Sequence, residues 1–381
     1  MNNSAINAMQ SKLKAREAEG TRRNLQPKNN LYDFSSNDYL GFARSVELQQ
    51  NISEELKKHP QALLGATGSR LLSGNSAFAE ELEKELATYH QAENGLIFNS
   101  GYAANTALFS CIPQKGDTII HDEYIHASVI DGARLSFARR FKFRHNDLED
   151  LEHKIKQSTG NCFVAVESVY SMDGDLADLL HIAQLCRQHG VHLIVDEAHA
   201  FGVLGTGLVD LLHIHNSVFA RVVTFGKALG VHGAIVLGSE LLRDYLVNFA
   251  RPFIYSTAPS FAHLLTIQQA YHHLLIHPEY RAILQEKSTL LKEFMPPQEQ
   301  LHSTTNPSAI QCVFLKSNHE TLRYSRELQK RGFDIHPVRS PTVPRGTERL
   351  RLCVHLHNSD YEILELCHHL DLLSKYHHHA N

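Results

Sequence analysis

The chain has 381 residues, of which 43% are hydrophobic and 20% charged, a usage that excludes a disordered chain. There are 37 Lys and Arg against 41 Asp and Glu, a formal net charge of -4, so no sequence-wide charge draws it to nucleic acid or an anionic membrane. No apolar run reaches the ~18 residues of a membrane span, and the length predicts one large domain plus a smaller one, because single cores stop growing near ~250–300 residues. In chain order, residues 5–19 have helical spacing and high charge, and Leu31–Phe34 is strand-like. Residues 65–75, GATGSRLLSGN, are too rich in Gly and Ser for a regular element, and an amphipathic helix with Phe78, Leu82 and Leu86 on one side follows. From residue 95 short apolar runs alternate with helix-length segments. Gly95–Phe98, Asp117–Ile120, Cys162–Val166, Val191–Val195 and Val222–Thr224 are the predicted strands; Ala103–Ser110, Ile125–Leu135 and Leu179–His189 are the predicted helices. The alternation predicts an α/β fold with a mostly parallel sheet covered on both faces, and ligands in such sheets lie at the carboxyl ends of the strands. A long helix is predicted over residues 260–294. After it comes a smaller α/β unit with strands Ala309–Leu315, Phe333–Pro337 and Leu350–Val354 and helices Glu320–Arg331 and Asp360–Tyr376. The expected division is an N-terminal arm over 1–45, a large domain over 46–285 and a small C-terminal domain over 286–381.

The six cysteines form no CxxC pair and sit mostly in apolar runs, and residues 1–23 lack the apolar stretch of a secretory signal. Both features predict a reducing, cytoplasmic setting. The 27 histidines are dispersed apart from the run His377-His378-His379, and no HExxH spacing occurs, so no metal is expected.

Three strand ends carry unusual residues. An apolar strand delivers Asp196, in Val195-Asp196-Glu197-Ala198-His199. A buried carboxylate there needs a cationic or hydrogen-bonding partner. A plain cap or ion pair would also account for it; a helicase DEAH box would not, because no GxxxxGK[ST] phosphate loop exists. A second strand ends in Thr224-Phe225-Gly226-Lys227, where a lysine can lose its proton and bond an aldehyde, or merely be solvated. The third end, Asn99-Ser100-Gly101-Tyr102, opens a helix whose free N–H groups suit a phosphate, or need only the Ser100 cap. Asp196 and Lys227 stand 31 residues apart, about one strand–helix–strand step. Together the three ends suit a phosphorylated aldehyde with a ring nitrogen, that is, pyridoxal phosphate, with His126 a candidate to stack on its ring.

On these residues the chain resembles the α-oxoamine synthases, fold-type-I pyridoxal phosphate enzymes, from about Arg22 to Asn358. The motifs are FSSNDYLG at 34–41, GSRLLSGN at 68–75, FNSGYAAN at 98–105, ESVYSMDGD at 167–175, VDEAH at 195–199, TFGKALG at 224–230 and PTVPRGTERLRL at 341–352. The resemblance implies that Lys227 bonds the cofactor aldehyde, Asp196 pairs with the ring nitrogen, His199 meets the ring hydroxyl and His126 stacks. It also implies cofactor contacts from Gly101, Tyr102, Ser171 and Thr224, and from Thr257 toward a partner subunit. Arg351 is implied for the amino-acid carboxylate, Arg339 and Thr342 for positions near substrate, and Arg22 or Arg23 for the distal carboxylate of an acyl chain. Phe225, Gly233–Val236 and Ile254–Thr257 favour the biotin-pathway branch, which condenses L-alanine with a pimeloyl thioester on coenzyme A or acyl carrier protein. The alternatives are a glycine acetyltransferase and a sister aminoketone-forming branch. The resemblance further implies a homodimer. The segment Gly202–Leu208 departs from the family's Gly-Arg-Gly.

Overall fold

The strands of this chain fall where β-branched and aromatic residues cluster between turn residues. The computed structural model describes residues 4–378 apart from 26, 28, 29, 299, 300, 305 and 341, so Pro341 and His379 lie outside the described residues. In chain order the strands are β1 (Tyr32–Asp33), β2 (Asn94–Phe98), β3 (Thr118–Asp122), β4 (Arg139–Phe143), β5 (Cys162–Glu167), β6 (His192–Asp196), β7 (Ala220–Thr224), β8 (Ala234–Gly238), β9 (Ile310–Phe314), β10 (Phe333–Asp334), β11 (Pro337–Val338) and β12 (Arg349–Cys353).

Seven strands form the large sheet, in the order β2-β8-β7-β6-β5-β3-β4. The ladders are parallel from β7 across to β4, while β8 runs antiparallel to both β2 and β7. β2, β3, β4, β5, β6 and β7 therefore release their carboxyl ends at one edge. Period-two alternation sends Phe163, Ala165 and Ile194 to one face, against Leu108 and Val129. Val164, Val166, Leu193 and Val195 go to the other, against Ile182 and Cys186. With both faces covered, β5 reads as a continuous apolar run.

The structure corrects five expectations, the last of them in the C-terminal part. β4, Arg-Arg-Phe-Lys-Phe, is a strand that apolar periodicity misses because it is an exposed edge carrying charges. β8 is a further strand, antiparallel and outside the strand–helix alternation. The long helix is two, Phe261–Ile276 and Tyr280–Phe294. Pro278 donates no N–H and pushes His277 out of helical geometry, to φ -122 and ψ 61. Within 65–75, Arg70–Gly74 forms one π-helical turn, closed by Gly74 N–H donating to Ser69 O at 2.9 Å.

β11, β12 and β9 make a separate antiparallel sheet, backed by the helices Asn318–Lys330 and Asp360–His378. The expected strand Phe333–Pro337 is instead divided between β10 and β11. β10 leaves that sheet to pair in parallel with β1, with Tyr32 opposite Phe333. One apolar cluster, from Phe34 and Tyr39 through Tyr271 to Leu370, joins the N-terminal segment, the large sheet and the C-terminal part. All six cysteines are free. Among the described residues no helix is long and apolar enough to cross a membrane.

Candidate active site

Six strands end at one edge, and that edge gathers the titratable groups. Asp196 closes β6 with 7% exposure. Its Oδ1 accepts from the Ala198 N–H at 2.9 Å, and its Oδ2 accepts from the Asn105 amide at 2.7 Å. Asn105 also donates to Ser128 Oγ at 3.0 Å, and Ser128 Oγ lies 2.7 Å from His126 Nδ1. His126 caps the helix Ala127–Leu135. A polar relay thus runs from His126 to Asp196, and both ends have fixed positions.

Lys227 follows β7 in the turn Phe225–Gly230. Its Nζ lies 2.6 Å from His199 Nε2, and His199 Nδ1 lies 2.8 Å from the Tyr39 hydroxyl. His199 is buried at 4% exposure, and burial followed by the Lys227 charge pushes its pKa well below the ordinary imidazole value. It is a neutral imidazole. Burial lowers the Lys227 ammonium to about 8, while Asp196 and then Glu167 pull it back up. The lysine is therefore close to giving up its proton at neutral pH. Its turn is locked by Gly230, whose φ of +62 suits glycine and whose Cβ, if present, would meet Ala43 N at 2.2 Å.

The turn after β2 behaves as expected. Ser100 Oγ accepts from the Ala103 N–H at 3.1 Å and caps the helix Gly101–Cys111. A Cβ on Gly101 would stand 3.5 Å from Thr224 Oγ1, so the helix start and the end of β7 are in contact range. The N–H groups of Gly101 and Tyr102 open this helix beside the Thr224 hydroxyl, a corner that could hold an anion. Tyr102 itself is half-exposed and donates its hydroxyl to Asp131 at 2.5 Å. Thr257 is exposed, and its carbonyl accepts from Asn99 at 3.0 Å, next to this corner.

Arg351, on β12, donates from Nε to Ser171 O at 2.7 Å and from Nη2 to Asn37 Oδ1 at 3.0 Å and to the Tyr39 hydroxyl at 3.3 Å. Tyr39 therefore connects Arg351 to His199 and, through it, to Lys227. A cavity of about 460 Å³ opens beside His126 and Ser171, with Ile125, Ile130 and Val343 as apolar wall and Thr342 on its rim. The remaining predicted residues stand further out. Arg22 is exposed and paired with Glu17 at 3.1 Å. Arg339 donates to the Gly20 carbonyl. Arg23, rather than Arg22, reaches Thr342 Oγ1, at 2.9 Å.

Sequence reasoning missed Asn37, Tyr39, Asn105 and Glu167, although all four lie inside the motifs it singled out. Glu167 ends β5 directly opposite Asp196 in the ladder. It is 2% exposed, accepts from the Ser171 N–H at 3.1 Å, and burial followed by the Asp196 charge raises it to about 8. It is therefore protonated at neutral pH. The departure at Gly202–Leu208 leaves the site intact. Gly207, at φ +122, lies where any Cβ would strike the Glu197 carboxylate at 2.2 Å, and Glu197 in turn accepts from Val209 N–H at 2.9 Å and faces Arg221 at 3.5 Å.

The chain matches the aminotransferase class I and II family over residues 29–370. It is 40% identical to 8-amino-7-oxononanoate synthase of Emericella nidulans, over 93% of this chain and 92% of that one. It is 36% identical to the protein of the same name from Lysinibacillus sphaericus, over 84% of this chain and 83% of that one. Among solved structures it superimposes on 8-amino-7-oxononanoate synthase of Francisella tularensis with a TM-score of 0.78 and 28% identity, covering 92% of this chain and 100% of that one. Serine palmitoyltransferase of Sphingomonas wittichii shares the fold, with a TM-score of 0.88 at 24% identity over 99% and 98% of the two chains. With its large mostly parallel sheet, its lysine and aspartate at neighbouring strand ends and this coverage, the chain belongs to the aminotransferase class I and II family, as an α-oxoamine synthase of fold type I.

Proposed function

We propose that this protein is an 8-amino-7-oxononanoate synthase. It uses pyridoxal 5'-phosphate to condense L-alanine with a pimeloyl thioester, releasing CO2 and the free thiol carrier, on the way to biotin. The observation that carries this reading is the Lys227 amine, held by neutral His199 at one strand end within the field of Asp196 at the next. The donor set fits the cofactor group for group: an amine for the aldehyde, a braced carboxylate for the ring nitrogen, imidazoles for the ring face and hydroxyl, and a helix start with Thr224 for the phosphate. Bound there, pyridoxal phosphate supplies an electron sink for negative charge at the α-carbon of an amino acid.

The chain's own residues supply the rest. Asn105 and Ala198 both donate to the Asp196 carboxylate and fix its position, so it can hold a proton on a ring nitrogen beside it. Glu167, neutral at pH 7, adds no second negative charge to compete for that proton. Lys227 alternates between amine and ammonium near neutral pH and serves as general base and acid at the α-carbon. Arg351, pinned by Asn37, Tyr39 and Ser171, presents a guanidinium to the alanine carboxylate. The cavity beside His126 has one apolar stretch of wall, Ile125, Ile130 and Val343, suited to a run of methylenes, and charged side chains at Lys142 and Arg349 elsewhere in its lining.

The same proposal includes a homodimer, in which Thr257 reaches the other subunit's cofactor, a cytoplasmic location, and Arg22 or Arg23 near the far carboxylate of the acyl chain. The test is product identification by mass. The purified protein with cofactor is offered alanine or glycine against pimeloyl and acetyl thioesters, each on coenzyme A and on acyl carrier protein. Alanine with pimeloyl thioester should give the fastest turnover. Preferred turnover of glycine with acetyl thioester would overturn the substrate assignment.

A further inference from the structure

Away from the strand ends, the helix Phe261–Ile276 carries His273 near its end, and His277 follows one turn later. Their rings lie 4.5 Å apart at 64°. Facing both is Glu47, in the first turn of the helix Val46–Lys57. Glu47 Oε2 is 3.4 Å from His277 Nε2, and Glu47 Oε1 is 4.0 Å from His273 Nδ1. One ligand atom from each residue lies within 4.8 Å of the others. His273 Nδ1 and His277 Nε2 are buried and have no hydrogen-bond partner. The His273 side chain is only 1% exposed, so its nitrogen cannot turn to water.

The outer sides of both rings are already engaged. His277 Nδ1 lies 3.0 Å from Glu279 Oε1, a carboxylate that can only accept, so this nitrogen carries the proton. His277 Nε2 then presents a lone pair toward Glu47. His273 Nε2 faces Ser45 Oγ at 3.5 Å, and in the tautomer that donates to this hydroxyl Nδ1 is the inward lone pair. Two imidazole lone pairs and a carboxylate thus converge on one point. A second proton on His277 would satisfy one of the two nitrogens; a divalent cation satisfies both. The carboxylate behind His277 is the arrangement that orients metal-binding imidazoles.

We infer that His273, His277 and Glu47 form a binding site for a borderline divalent cation such as Zn2+. The cation clips the start of Val46–Lys57 to the end of Phe261–Ile276, with a water as fourth ligand. Nitrogen and oxygen ligands at ~2.0–2.1 Å around a tetrahedral ion stand about 3.3 Å apart. Glu47 is half-exposed at 52%, so its side chain is free to close the remaining distance. The site includes none of the groups assigned to the reaction and does not rest on the proposed reaction.

The test uses the full-length holoenzyme with Zn2+ in competition with a chromophoric chelator, alongside Glu47→Gln, His277→Gln and Glu279→Gln. The wild type should hold one tight equivalent more than Glu47→Gln and His277→Gln, and zinc should raise its melting temperature but not theirs. Glu279→Gln should keep the site with affinity lower by about 10–100-fold. Binding by the terminal histidines is common to all four proteins and cancels. Glu47 lies on the surface, so Glu47→Gln should keep normal turnover and confirm that the variant is folded. Equal stoichiometry and equal thermal shifts in the wild type and Glu47→Gln would overturn the inference.

Discussion

His145 bridges two carboxylates at the rim of the site, and its charge sets a pH window for stability. Its Nδ1 lies 3.0 Å from Asp122 Oδ1 and its Nε2 2.6 Å from Asp175 Oδ2. Burial alone would lower this imidazole, but the two carboxylates outweigh burial and raise it to about 9. An unfolded histidine titrates near ~6.5, and each pH unit between the two values is worth about 1.36 kcal/mol, so the full difference amounts to about 3.4 kcal/mol. His145 is 19% exposed and Asp175 32% exposed, so solvent screening reduces this to roughly 2–3 kcal/mol. Because the folded value lies above the unfolded one, the stabilisation is complete below pH ~6.5 and disappears as pH rises through about 9. His145→Gln, which keeps one donor but no charge, should therefore be destabilised by roughly 2–3 kcal/mol at pH 6 and match the wild type near pH 10. Urea unfolding of the holoenzyme, followed by circular dichroism at both pH values, measures the gap. The mechanism is refuted by a gap of the same size at pH 6 and pH 10. Activity should follow stability, because Asp175 closes the turn that carries Ser171, with Tyr170 N–H donating to Asp175 O at 2.9 Å.

Three further outcomes are expected. Asp196→Asn should leave the fold and the Asn105–Ser128 contact intact yet cost on the order of 100-fold or more in kcat, because a neutral amide does not hold the ring proton; near-normal turnover would remove Asp196 from its role. Arg351→Lys should raise the KM for alanine more than it lowers kcat, because a lysine cannot keep the contacts to Ser171, Asn37 and Tyr39 together; steady-state kinetics separate the two effects. Arg70→Leu should destabilise by about 3–5 kcal/mol, since it strands the buried Glu83 carboxylate, which would keep only the Ile97 N–H at 2.8 Å and the more distant Arg243 at 3.7 Å; thermal unfolding against the wild type reads it.

Local pattern determined much of this protein. The strands that end in Phe98, Glu167, Asp196 and Thr224 are apolar runs bounded by turns, so the sequence alone places Asp196 and Lys227 at strand ends. Ser100 at the head of its helix was legible too, because a cap is a contact within four residues. What the fold alone decided are relations between segments far apart in the chain. Tyr39 and Asn37 reach Arg351 across more than three hundred residues, and Asn105 braces Asp196 across ninety-one, contacts for which no periodicity leaves a trace. The charge states follow the same division. Glu167 is neutral because packing strips water from it and sets Asp196 beside it, and Lys227 is close to neutral because burial outweighs the opposing pull of the same Asp196; desolvation is a property of the surroundings rather than of the residue.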